Sequence, residues 1–170
     1  RDRRAQLTNV PGTSAGGLVG GLYAAGLSGV EIEEFLSAID AASVLEPDPS
    51  GWSLLSTHRF LALLRDRIGD PLIENLPHPF AAVAVDLRCS CEVILTRGSL
   101  LRAIQATIAV PGLLCPVEED NHLLVDGGVL NSVPVNAGAV SALGDEVGAP
   151  ELGARAGVLR DLGLFRRDYV

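Results

Sequence analysis

The chain has 170 residues, of which 48% are hydrophobic and 20% are charged, and its formal net charge is −8. This length and composition predict one globular domain with a hydrophobic core, and they exclude a disordered or collagen-like chain. The negative charge argues against a nucleic-acid partner, and no run approaches the roughly 20 apolar residues of a membrane span.

The first predicted elements are a strand over residues 7–10 and a helix over residues 18–25. Small residues at Gly16, Gly20 and Ala24 recur at four-residue spacing along this segment. One face of the helix is therefore nearly bare backbone, which favours close packing against a sheet.

The next segments carry local signals for helix ends and loops. Ser28 and Glu31 form a capping-box pattern that predicts the start of a helix reaching residue 39. Turn-forming residues over 46–51 predict a loop. A second amphipathic pattern predicts a helix over residues 57–68.

The second half of the chain alternates between strands and helices. A continuous apolar run over residues 80–87 predicts a strand buried on both faces, followed by a hairpin partner at 92–96. A helix over 99–109, a strand over 122–125 and a helix over 134–143 follow. This alternation predicts an α/β fold with a mostly parallel central sheet and helices on both sides.

A G-x-S-x-G pentapeptide runs from Gly12 to Gly16 with Ser14 at its centre. Between a strand and a helix, this pattern is typical of a sharp elbow that exposes a nucleophilic serine. Flanking glycines let the neighbouring backbone approach, and the Ala15 amide can point at a developing oxyanion. An ordinary glycine turn is the alternative interpretation of the pentapeptide.

A serine nucleophile needs a base, and Asp126 is the best-placed acid. It ends an apolar strand, and Gly127 and Gly128 remove side-chain bulk beside it. A carboxylate acting directly is simpler than a triad, because a triad in the serine–acid–histidine order would need a histidine after Asp126. An ordinary aspartate–glycine turn is the alternative. All the histidines precede the aspartate: His58, His78 and His122.

A G-x-S-x-G motif at 12–16 followed by the D-G-G motif at 126–128 resembles the pattern of the patatin-like phospholipase family, and more closely that of its bacterial branch. The resemblance implies hydrolysis of lipid acyl esters at a membrane or micelle surface by a Ser14–Asp126 dyad, without metal or cofactor. The segments that carry it are GTSAGGLVGGLYAAGLS at 12–28, PFAAVAVDL at 79–87, LTRG at 95–98, ATIAVPGLLCP at 106–116 and LVDGGVLNSVPV at 124–135.

The chain departs from the family before its nucleophile. The family carries a G-G-G-x-R-G oxyanion segment some dozens of residues upstream, and residues 1–11 contain no glycine. We therefore expect residues 1–147 to be a partial catalytic domain with an incomplete oxyanion hole, and residues 148–170 to be a divergent tail. We also expect self-association through the exposed sheet edge. A degenerate homologue that binds lipid or protein is the alternative function.

Two further expectations concern single residues. Asp86 ends an apolar strand, and we expect it to be structural rather than catalytic. Cys89, Cys91 and Cys115 lack the spacing of a zinc or redox motif, so free thiols in a reducing compartment are expected. The predicted location is cytoplasmic or at a membrane surface.

Overall fold

The computed structural model describes residues 10–49, 51, 53–119 and 121–130. Two short 3₁₀ turns, Ile73–Asn75 and Gly127–Val129, accompany the strands and helices of this part of the chain. In chain order these are β1 (Val10–Thr13), α1 (Ala15–Ala24), α2 (Gly29–Ser37), α3 (Ala41–Val44), β2 (Glu46–Pro47), β3 (Leu55–Ser56), α4 (His58–Ile68), β4 (Phe80–Asp86), β5 (Cys91–Leu95), α5 (Leu100–Thr107), β6 (Val117–Glu119) and β7 (His122–Asp126).

Strand β4 is the centre of a mixed five-stranded sheet. One of its edges pairs antiparallel with β5 over residues 82–86. The opposite edge is divided, because β1 pairs parallel with residues 80–83 and β7 pairs antiparallel with residues 84–86. Strand β6 then extends the sheet beyond β7. The predicted α/β class is confirmed.

This division makes β1 and β7 run toward each other along one edge of β4. Strand β1 ends with Thr13 opposite Val83, and β7 ends with Asp126 opposite Ala84. Because Val83 and Ala84 are neighbours in β4, the carboxyl ends of the two strands meet head-on. The residue that follows β1 is therefore placed beside the last residue of β7.

Several element boundaries follow from local sequence signals. The Ser28–Glu31 capping box is present at the start of α2, as predicted. Ser99 caps α5 by accepting a hydrogen bond from the Arg102 amide at 3.1 Å. Thr57 precedes α4, but its side chain makes no capping hydrogen bond.

Other boundaries differ from the prediction because tertiary pairing decides them. Strand β1 continues through residues 11–13, since these residues pair with β4, and α1 begins at Ala15 rather than at residue 18. The predicted loop at 46–51 contains β2, which pairs with β3. The helix predicted at 134–143 and the boundary at 147 lie outside the described residues.

The core lies mainly on one face of β4, all seven residues of which are buried. Phe80 and Ala82 point into a cluster with buried side chains of α1, α2, α4 and α5, including Leu22, Leu64 and Ile104. On the opposite face a smaller cluster joins β4 to β7 and to the turn that follows β7. No helix within the described residues is long and apolar enough to span a membrane.

Gly20 and Ala24 of the predicted small-residue face of α1 are buried, and two further glycines pack against α5. Gly17 and Gly21 are buried against Thr107 and Ile104, whereas Gly16 is exposed. The helix starts directly after Ser14, three residues earlier than predicted. The glycines that face α5 are Gly17 and Gly21.

The cysteines also correct the prediction. Cys89, in the turn after β4, forms a disulfide with Cys91, the first residue of β5, so the expectation of free thiols is wrong for this pair. The turn brings their Cα atoms to 5.2 Å, within the range that a disulfide requires. Cys115 is not in a disulfide, and its Sγ lies 2.9 Å from Ser53 Oγ.

Candidate active site

Ser14 occupies a sharp elbow between β1 and α1. Its backbone has φ 54° and ψ −129°, a conformation with positive φ that non-glycine residues rarely adopt. Such a residue costs about 1–3 kcal/mol of backbone strain and persists only where the surrounding structure holds it. Helix α1 begins at the next residue, Ala15.

Thr107, the last residue of α5, holds this elbow in place. The Ser14 amide N–H donates to the Thr107 carbonyl oxygen at 3.1 Å and to its Oγ1 at 3.0 Å. The Thr107 hydroxyl in turn donates to the carbonyl oxygen of Val83 in β4 at 2.6 Å. Thr107 is fully buried, so these bonds are shielded from water. The Ser14 elbow is thereby tied to both α5 and the central strand.

The structure brings Ser14 and Asp126 into direct contact. The Ser14 hydroxyl donates to Asp126 Oδ2 at 2.7 Å, within the reach expected of a nucleophile and its base. Asp126 is only 4% exposed. Its Oδ1 accepts from the Gly128 amide at 2.7 Å, and its own amide donates to the Ala109 carbonyl at 2.9 Å. One carboxylate oxygen is therefore held by the backbone while the other faces the serine.

Glycines are required where backbones cross beneath this pair. A Cβ at Gly12 would lie 2.5 Å from the Gly17 Cα, and one at Gly127 would lie 2.4 Å from the Val83 carbonyl oxygen. At Gly128 a Cβ would lie 3.1 Å from Asp126 Oδ1. Gly16 differs from these, because a Cβ there would meet nothing within 4 Å. Gly12 and Gly127 therefore allow the close backbone approach predicted from the motifs and Gly128 leaves room for the Asp126 carboxylate, whereas the close approach predicted at Gly16 is absent.

The start of α1 offers amide donors beside Ser14. The first N–H groups of a helix have no intrahelical acceptor, and they lie at its partially positive end. Ala15 and Gly16 are these residues in α1. The Ser14 amide itself is directed to Thr107 and is not free to bind a ligand. Ala15 is therefore a donor that the elbow can offer to a bound anion.

The histidine contacts within the described residues do not involve Ser14. His122 Nδ1 lies 2.8 Å from Asp86 Oδ2, and His78 stacks on Tyr23 with ring centroids 4.9 Å apart. His58 is an exposed first residue of α4. A carboxylate, not an imidazole, is thus the hydrogen-bond partner of the Ser14 hydroxyl.

Asp86 serves the fold rather than the Ser14 elbow. Its Oδ1 accepts from the amides of Arg88 and Leu123, which joins the β4–β5 turn to β7. Burial opposes ionisation of this carboxyl. Hydrogen bonds from His122 and from these two amides outweigh burial and hold its pKa below the ordinary value. These contacts fit the structural role predicted for Asp86.

Sequence reasoning did not single out Thr107. A threonine at the end of a helix carries no local signal, and its two partners lie 93 and 24 residues away along the chain. The only hint was its position inside the 106–116 segment. Its importance follows from burial and from the partners of its hydroxyl group.

The chain is similar to known proteins over most of its length. A family model described as patatin-like phospholipase matches residues 2–139. An uncharacterized NTE family protein of Mycobacterium bovis is 38% identical over 163 residues, which cover 87% of this chain and 44% of that protein. The neuropathy target esterase of Drosophila melanogaster is 33% identical over 105 residues, covering 58% of this chain and 7% of the esterase. The chain thus spans less than half the length of these relatives.

Proposed function

The chain belongs to the patatin-like phospholipase family, and from this premise we propose that it hydrolyses carboxylic esters of lipids through a dyad of Ser14 and Asp126. The observation that carries the proposal is the 2.7 Å hydrogen bond from the Ser14 hydroxyl to Asp126 Oδ2. A strained elbow presents the serine, and a buried carboxylate accepts its proton. This pairing is the arrangement that nucleophilic acyl transfer requires.

The proposed reaction has two steps. Ser14 Oγ attacks the ester carbonyl carbon while Asp126 Oδ2 takes the hydroxyl proton, and the Ala15 N–H stabilises the oxyanion. Asp126 then returns the proton to the departing alcohol, leaving an acyl group on Ser14. A water molecule, deprotonated by Asp126, attacks the acyl-enzyme, and Asp126 gives that proton to Ser14 Oγ as the ester bond breaks, which releases a carboxylic acid and restores the dyad.

Apolar surface next to the dyad supports a lipid substrate. Val110 and Leu113 are each 39% exposed, and they follow Ala109, whose carbonyl receives the Asp126 amide. Leu54 is 69% exposed, and its amide donates to the carbonyl of residue 112 at 3.4 Å. Two large apolar side chains are therefore exposed on the segment that follows Ala109 and a third on the loop bonded to that segment, which suits contact with acyl chains at a membrane or micelle surface.

The test is hydrolysis of short-chain and phospholipid esters by Ser14→Ala and Asp126→Asn variants. We expect each change to lower kcat by about 10³-fold or more, because each removes one member of a unit that acts together. Ser37→Ala and Asp66→Asn are matched controls, since both residues are exposed on helices. Controls should keep the parent rate and the parent melting temperature.

The alternative, a member that only binds lipid or protein, predicts a different result. In that case the parent protein would hydrolyse esters no faster than the Ser14→Ala variant, while both bound phospholipid vesicles equally. Such an outcome would contradict the proposed hydrolase function.

A further inference from the structure

A second cluster of reactive side chains lies at the turn between β4 and β5, separate from the Ser14 elbow. It contains Asp86 at the end of β4, Cys89 and Cys91 in and after the turn, and His122 at the start of β7. A carboxylate oxygen of Asp86 and the two sulfur atoms lie within 4.8 Å of one another. His122 joins them through its Nδ1, which is 2.8 Å from Asp86 Oδ2.

We propose that Asp86, Cys89, Cys91 and His122 form a zinc site that becomes available when the Cys89–Cys91 disulfide is reduced. Two thiolates, one imidazole and one carboxylate are a ligand set that suits tetrahedral Zn²⁺. The sequence alone did not suggest it, because Asp86, Cys89 and Cys91 lie 36, 33 and 31 positions before His122. Pairing of β4 with β5 and β7 brings them together.

The separations from Asp86 Oδ2 to Cys89 and to His122 are close to those of a metal site. Zinc bond lengths of about 2.0–2.3 Å place neighbouring ligands about 3.3–3.8 Å apart around a tetrahedron. Asp86 Oδ2 lies 3.5 Å from Cys89 Sγ and 2.8 Å from His122 Nδ1. The two sulfur atoms must separate once their bond is broken, and the His122 imidazole, which lies outside the 4.8 Å group of Asp86, Cys89 and Cys91, must rotate toward the sulfur atoms. The side chains that must move lie at an exposed turn and at the ends of two strands.

The Asp86 carboxylate is already oriented for this role. Its Oδ1 accepts hydrogen bonds from the Arg88 amide at 2.9 Å and the Leu123 amide at 3.1 Å. These bonds fix the carboxyl group and leave Oδ2 facing Cys89 and His122. Backbone support of this kind orients a metal ligand and raises affinity. The Arg88 guanidinium points instead to Asn121 and to Glu118, so it does not occupy the cluster.

Reduction is the step that creates the ligands. Two molecules of a low-molecular-weight thiol break the S–S bond, become one external disulfide, and leave Cys89 and Cys91 as thiols. Zn²⁺ then binds both sulfurs and displaces their two protons to solvent, because the thiolate is the metal ligand. The oxidised protein lacks these thiolates. Metal affinity is therefore coupled to the redox state of the turn.

The experiment is an anaerobic titration of the full chain with Co²⁺ alone, after reduction with a phosphine and its removal. We expect one equivalent to bind, with sulfur-to-cobalt charge-transfer absorption and the visible bands of tetrahedral Co²⁺, and Zn²⁺ to displace it. The oxidised protein should give neither signal. Cys115→Ser is the matched control and should bind like the parent.

Cys91→Ser and Cys89→Ser should each weaken Co²⁺ binding by about tenfold or more, and His122→Ala should shift the visible bands. Far-ultraviolet circular dichroism of each variant shows whether it keeps the parent fold, and two separate cysteine variants guard against one that does not. Two results would overturn the proposal: no Co²⁺ bound by the reduced parent, or unchanged Co²⁺ affinity in a folded Cys89 or Cys91 variant.

Discussion

Thr107 holds Ser14 through two acceptors at once, its carbonyl oxygen at 3.1 Å and its Oγ1 at 3.0 Å from the Ser14 amide nitrogen. The same hydroxyl donates to the Val83 carbonyl oxygen at 2.6 Å. The nucleophile elbow, the end of α5 and the central strand are thus joined at one buried side chain. The positive φ of Ser14 is maintained by this connection rather than by its own preference.

A Thr107→Val variant should be less stable and slower. It keeps the shape of the side chain but removes one of the two acceptors for the Ser14 amide and the donor to the Val83 carbonyl, and an unsatisfied buried group costs about 1–3 kcal/mol. We expect kcat for ester hydrolysis to fall with little change in KM, because the elbow is misplaced while the apolar surface remains. Thr107→Ser keeps the hydroxyl and should recover most of the rate. Equal kcat in Val and Ser variants would contradict a positioning role.

Two neighbouring glycines of α1 should respond oppositely to alanine. A Cβ at Gly17 would lie 2.5 Å from Thr107 Cγ2, so Gly17→Ala forces α1 and α5 apart and should lower the free energy of unfolding by about 1–3 kcal/mol. At Gly16 the added Cβ meets nothing within 4 Å, and alanine is the better helix former. Gly16→Ala should therefore stabilise by about 0.5–1 kcal/mol. Urea denaturation measures both, and a stable Gly17→Ala variant would refute the packing described for α1.

Gly127→Ala should impair both stability and hydrolysis. Its Cβ would lie 2.4 Å from the Val83 carbonyl oxygen, and neither atom belongs to a flexible side chain. The turn must move away from β4, and Asp126 must move with it. Gly29→Ala is the matched control, because Gly29 starts α2 with nothing within 4 Å of a Cβ. The melting temperature and the rate of ester hydrolysis should both fall for Gly127→Ala, and both should stay at the parent value for Gly29→Ala.

The capping box of α2 should make stability depend on pH. Hydrogen bonds from the Ser28 amide and then from its hydroxyl hold the Glu31 pKa below its ordinary value, with a smaller effect from Arg67. Because the folded pKa is the lower one, the carboxylate stabilises the protein at neutral pH, and this contribution disappears as the pH falls through the titration range of glutamate. Unfolding midpoints of the parent and Glu31→Gln should therefore differ at pH 7 and converge in acid. If the two unfolding midpoints still differed in acid, the effect of Glu31→Gln would not come from the charge of the Glu31 carboxylate.

Local features of the fold were predictable because their signals lie within a few residues. The Ser28–Glu31 capping box starts α2, and the uninterrupted apolar run at 80–87 is a fully buried strand. Ser99, the first residue of the helix predicted over 99–109, caps α5. Boundaries set by pairing partners were predicted less well. Strand β1 reaches Thr13 and α1 starts at Ala15, because β4 pairs with residues 11–13, whose proline and glycine are typical of a turn.

What the sequence determined about the candidate site was which residue types could act. A serine in G-x-S-x-G and an aspartate before two glycines indicate a nucleophile and a base, since each motif encodes its own local turn. The motifs contain no information on their mutual distance, because 112 residues separate Ser14 from Asp126.

Only the tertiary structure decided how these residues meet. Strands β1 and β7 converge on one edge of β4, and this register places the Ser14 hydroxyl 2.7 Å from Asp126. The same long-range pairing sets Asp86 and His122 beside the Cys89–Cys91 turn and buries Thr107 behind the elbow. Such contacts depend on the register of strands distant in the chain, which no local periodicity or capping signal specifies.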